Sequence, residues 1–139
     1  MATFNKFQCF VGDVANKQHN MNTGTTDVYK VYLTNTAPAA SNTTYNTPAD
    51  LPTGNGYTAG GASIGTITGV DSAGVFSFGG SANPTFVASG GSIGPFEWAV
   101  LYNATSNRLI AWWDYGLAIT LTNGNTFVVS LPSPILTLT

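Results

Sequence analysis

From Val28 to the C-terminus the chain is a succession of short runs of β-branched and aromatic residues, each closed by Gly, Asn or Pro. Runs of this length form strands rather than helices, and strands repeated at this spacing must stack or close on one another. Strands are expected at 28–34, 62–68, 75–78, 85–88, 96–103, 108–114, 117–121, 126–131 and 135–138, with glycine pairs at 60–61, 79–80 and 90–91 as breaks. The fold this predicts is mainly β, an antiparallel β-sandwich of jelly-roll-like form. Asn123-Gly124 lies between two apolar runs, and a glycine tolerates the positive φ of a type I′ turn, so a hairpin is predicted there.

The N-terminus has a different period. Phe4, Phe7, Phe10, Val11 and Val14 recur at spacings of three and four, which predicts one amphipathic helix over 3–18 with Thr3 as its cap. Its Phe stripe must be buried, each ring contributing about 1.5–3 kcal/mol, and the helix is expected to cover one face of the sheet. Residues 27–139 then form the β region, interrupted by a long loop over 35–61 in which Tyr45, Leu51 and Tyr57 are the sizeable apolar groups. A connection so long is functional, docked on a partner, or a cover for a sheet edge. At 139 residues the whole chain, 1–139, is expected to be one domain.

Charge narrows the function classes. Four basic and six acidic side chains give a formal charge of -2, and beyond Lys30 the only basic residue is Arg108. Too few cations are present for the phosphate contacts that direct nucleic-acid binding requires. No run approaches the ~20 apolar residues of a membrane span. Lys6 interrupts the first apolar stretch, so no secretory signal is indicated and the mature start is expected near Met1. A surface kept soluble by Thr, Ser, Asn and Gly repels neighbours weakly, and its strand edges lack the charges that normally block pairing. Such a surface suits contact with other protein, including further copies of the chain.

Catalytic readings find little support. His19 is the only histidine, and the plainer role for it is to cap the helix C-terminus. Cys9 is the only cysteine, so no internal disulfide forms; it reads as a small core hydrophobe, and no zinc ligand set is present. Asp50, Asp71, Glu97 and Asp114 invite a glycosidase reading. In a symmetric hairpin of 96–103 with 108–114, however, Trp98 lies opposite Trp112 and Glu97 opposite Trp113. Glu97 and Asp114 then face opposite sides, a result that a one-residue slip would reverse. Trp112, Trp113 and Tyr115 are the densest aromatic cluster, a possible platform for sugar or protein, although alternation sends the two tryptophans to opposite faces. The glycines of 54–61 lack the Lys-Ser/Thr ending of a phosphate loop. Neither catalytic, cofactor-binding nor metal residues are assigned; Tyr45, Leu51, Tyr57, Trp113 and Tyr115 are the candidate protein contacts.

Several segments together, YKVYLTNTAP at 29–38, GNGYTAGG at 54–61, GGSIGPF at 90–96, AVLYN at 99–103 and LIAWWDYG at 109–116, resemble small virion proteins of tailed bacteriophages. Within that group the chain is most similar to capsid cement, or decoration, proteins. The resemblance implies a structural protein on the outer capsid surface, made in the host cytoplasm, whose partners are the major capsid protein and its own copies as dimer or trimer. A tail or neck protein, or a carbohydrate-binding β-sandwich module, is the alternative.

Overall fold

The computed structural model describes residues 2–139. Its elements are β1 (Thr3–Lys6), α1 (Cys9–Ala15), β2 (Tyr29–Thr34), β3 (Ala62–Ser63), β4 (Ile67–Ser72), β5 (Val75–Gly80), β6 (Thr85–Val87), β7 (Ile93–Asn103), β8 (Arg108–Leu121), β9 (Thr126–Val128) and β10 (Leu136–Leu138). All strand pairs are antiparallel. They form a five-stranded sheet in the order β1-β8-β7-β2-β3, a three-stranded sheet β10-β5-β4 and a two-stranded sheet β6-β9. The protein is therefore mainly β with one short helix, as its pattern of short runs predicts.

Alternation in the five-stranded sheet sorts its side chains onto two faces. Val31, Leu101 and Ala111 stand in one row, and Leu33, Ala99, Trp113 and Phe4 in the next. This face joins Phe78 and Ile67 of the three-stranded sheet and Phe86 of the two-stranded sheet in one apolar cluster. Tyr32, Val100 and Trp112 occupy the other face, where Phe7, Tyr102 and Leu109 complete a second cluster. Both central strands are thus covered twice, as their apolar composition requires.

The N-terminal helix is shorter than its periodicity suggests. Residues 3–6 form strand β1 against β8, with Phe4 opposite Trp113 and Lys6 opposite Ala111. Thr3 is a strand residue, and the helix begins after Gln8 with no side-chain cap. Thr3-Phe4-Asn5-Lys6 also alternates at period two, and the ladder offered by β8 decides between the two readings. Phe7 and Phe10 are buried in different clusters, whereas Phe4 and Val11 remain 43% and 60% exposed. The second face of the sheet is covered by Phe7, Cys9 and the Tyr45 loop rather than by a long helix.

Three further expectations are corrected. The turn at Asn123-Gly124 forms, with Asn125 N–H donating to Thr122 O at 3.0 Å and Gly124 at φ +86°. Asn123 does not share the positive φ of a type I′ turn, and the flanking strands do not pair: β8 stays in the large sheet while β9 pairs with β6. Docking of the turn explains the divergence, because Gly124 N–H donates to Ala88 O and Asn123 Oδ1 accepts from Gly90 N–H. In the β7-β8 hairpin Trp98 lies opposite Asp114, two residues from the symmetric register, with a bulge at Ile110. The two-residue shift keeps Trp98 on the face of Asp114, but Glu97 lies in the irregular stretch between Phe96 and Trp98, where Phe96 and Ala99 both enter the core and strict alternation no longer assigns its face. Beyond Asp114 the expected strands 108–114 and 117–121 are one long β8, whose 115–118 segment bulges outward and leaves Leu117 64% exposed.

Candidate functional site

Charge is even scarcer outside the molecule than in the sequence. Arg108 makes a two-pronged ion pair with Asp13, Nε to Oδ2 at 2.9 Å and Nη2 to Oδ1 at 2.7 Å, with the Asp13 side chain 8% exposed. Asp27 Oδ2 accepts from Asn103 Nδ2 at 2.8 Å and from Asn20 N–H at 2.9 Å. Asp50 is bound by the loop described next. The charges left to the surface are Lys6, Lys17, Lys30, Asp71, Glu97 and Asp114.

Asp50 organises the loop over 35–61. Its Oδ2 accepts from the Tyr45 hydroxyl at 2.8 Å and from Gly60 N–H, and its Oδ1 from the Tyr57 hydroxyl. The Tyr57 oxygen in turn accepts from Leu33 N–H at 2.9 Å, tying the loop to β2. Tyr57 is 2% exposed, so it is a core residue and not the surface contact its glycine-rich setting suggests. Burial, with the Asp50 carboxylate beside it, drives its hydroxyl well above the ordinary tyrosine range. Tyr45 stacks on Tyr102 at 4.8 Å and 15°, and Leu51 donates its N–H to Leu33 O while lining a cavity of about 160 Å³ with Asn55 and Ser92. Gln8 N–H donates to Ala40 O, Leu109 N–H to Thr43 O, and Tyr45 N–H to Asn107 O, so this long connection continues the β8 edge beyond β1. Edge cover is the role it fills.

A groove of about 580 Å³ lies at the other end of β1. Phe4 and Ala2 form one wall, Trp113 and Tyr115 the floor, and Val128 and Leu131 the wall on the β9 side. None of its lining residues is charged among the described residues. Trp113 is 6% exposed and meets Phe4 edge-on at 5.6 Å, while Tyr115 packs edge-on against Phe127 at 5.3 Å. Of the candidate contacts, Trp113 and Tyr115 are brought together here, and Tyr45, Leu51 and Tyr57 lie apart in the loop. Phe4 and Val128, 43% and 44% exposed, belong to the same surface but escape a sequence reading that puts Phe4 on a helix. The two-residue alternation of 3–6 was the signal for it.

Trp112 turns to the opposite face and packs on Phe7 at 4.5 Å, so Trp112, Trp113 and Tyr115 do not share one face. Cys9 is half-buried against Leu109 and Thr43 carbonyls, and burial, reinforced by Asp13, pushes its thiol up to about 11, away from nucleophilic use.

His19 lies beyond the helix end in the core, 8% exposed, between the rings of Phe10 and Tyr29. Its position corrects the capping role. Asn103 Nδ2 approaches Nδ1 at 3.4 Å, and Nε2 has no partner among the described residues. Burial holds the imidazole below its usual range, with Arg108 acting in the same direction and Asp13 and Asp27 opposing. The unfolded chain therefore binds the proton more tightly, and folding loses stability as the pH falls below about 6.5. Thermal unfolding between pH 7.5 and about 5.5 should show a falling midpoint in the native chain. His19→Gln should flatten that slope; an unchanged slope would assign it to other groups.

Comparison with family models, with curated proteins and with solved structures found no match. What the geometry defines is an antiparallel β protein with a charge-poor surface and an open apolar groove at a sheet edge.

Proposed function

We propose that this chain is a structural virion protein that binds the outside of a tailed-phage head and cements neighbouring major capsid subunits, using a jelly-roll-like β-sandwich as its body. The observation that carries the reading is the allocation of charge: Asp13, Arg108, Asp27 and Asp50 are engaged internally, leaving a sparse mixed-sign surface around a groove with no charge among its described lining residues. A surface of this kind desolvates at low cost and packs densely beside identical neighbours. Contacts to several shell subunits engage together, so modest individual affinities add up to strong retention. Each junction needs on the order of 1,000 Å² of buried area to resist separation of the subunits. The resemblance of segments 29–38, 54–61 and 109–116 to small phage virion proteins supports the same reading.

Purified protein mixed with undecorated heads should bind saturably, at a fixed ratio to the major capsid protein, and should raise the temperature at which the heads rupture. Equal binding to unrelated particles, or none to heads, contradicts the proposal. Assembly into rings or tubes would move the protein to the tail or neck.

A further inference from the structure

We propose that β1 pairs antiparallel with β1 of a second copy, centred on Phe4, so that two five-stranded sheets become one continuous sheet and the two apolar grooves meet across a two-fold axis. The inference rests on reading this groove as a contact surface and names its occupant.

Among the described residues no other strand or loop bonds to the backbone of β1 on the side away from β8; within the strand, Asn5 Nδ2 donates to Thr3 O at 3.1 Å. Two other edges are closed. Strand β4 is covered by Thr23, whose hydroxyl donates to Gly69 O and accepts from Gly69 N–H. The β8 edge beyond β1 is covered by the 43–45 segment. Strand β1 has no proline, glycine or bulge, and Lys6 at its end is its sole charge. Open backbone groups of this kind are satisfied by another strand.

Symmetry and charge select a second copy. A two-fold axis perpendicular to the sheet keeps each face on its own side, so facing residues must be of like parity and the axis falls on Phe4 or on Asn5. Centring on Asn5 would set Phe4 against the second copy's Lys6. Centring on Phe4 sets Phe4 against Phe4 and Ala2 against Lys6, and the two lysines lie about 13 Å apart, beyond the screening length. The Phe4 rings then extend the edge-on contact with Trp113 into a four-ring row along the joined grooves. Among the described residues nothing in the groove lining pairs with a charged partner, whereas Phe4 of a second copy adds an apolar group to it. A two-fold interface consumes the edge on both partners, so pairing stops at the dimer and does not run on into fibres.

Sedimentation equilibrium from micromolar to submillimolar concentration should give twice the 14.5 kDa chain mass for the native protein. Phe4→Lys should give the single-chain mass with an unchanged circular dichroism spectrum, and Val11→Lys, on the exposed helix, should remain dimeric. Independently, Phe4→Cys in a Cys9→Ala background should oxidise to a disulfide-linked dimer, because facing Cα atoms lie about 4.5–5.5 Å apart. Lys6→Cys in that background should not. A native chain that stays monomeric, or a Phe4→Cys variant that fails to cross-link, overturns the pairing. If the native chain is monomeric and Phe4→Lys abolishes head binding, the edge meets a capsid strand, which overturns the dimer and keeps the cement function. A Phe4-centred dimer that ignores heads upholds the pairing and overturns the cement function.

Discussion

Arg108→Ala should destabilise the fold by about 3–5 kcal/mol in urea unfolding, because it leaves the Asp13 carboxylate inside the protein without its partner. The pair is bidentate, and its anion is the more deeply buried member, the Arg108 side chain being 26% exposed. Asp13 lies on α1 and Arg108 starts β8, so the same interaction fixes the helix to the sheet. An apolar replacement of both, Asp13→Leu with Arg108→Met, should recover most of the loss, since the desolvation cost disappears with the charges. A single-variant loss below about 1 kcal/mol would mean that the pair behaves like an exposed surface bridge.

Asp50→Ala should cost a similar amount and act locally. Three donors converge on this carboxylate, each hydrogen bond to a charged acceptor contributing about 1.5–3 kcal/mol net, and the sum is reduced by relaxation of the loop. The Tyr57 hydroxyl, buried under the loop, would keep only the Leu33 N–H as a partner. The variant should therefore expose 45–61 to proteolysis and speed exchange of the Gly60 amide, while β7 and β8 amides stay protected. Uniform loss of protection across the sheet would contradict a local role for Asp50.

The β region was legible because period-two runs and glycine breaks are local signals. Strands 28–34, 75–78 and 108–114 lie where the pattern puts them, and opposing faces for Trp112 and Trp113 followed from alternation alone. What failed depended on partners remote in sequence. Phe4, Phe7 and Phe10 satisfy a helical spacing, yet only β8, a hundred residues on, makes Thr3–Lys6 a strand. Asn123-Gly124 gives a real turn, but the 88–90 backbone that holds it sends β9 to β6. Tyr57 sits in a polar, glycine-rich stretch that reads as exposed, and it is Asp50 and Leu33 that draw it into the core. The groove follows the same logic: Trp113 and Tyr115 were visible as aromatics, while Phe4 and Val128 reach them only through sheet order.

An image reconstruction of intact particles carrying this chain tests the central claim most directly. The account predicts density for the fold on the outer shell surface, bridging neighbouring capsid subunits, with the β1 edges of two copies abutting. Particles whose outer surface lacks the chain, at full occupancy of every other component, would contradict it.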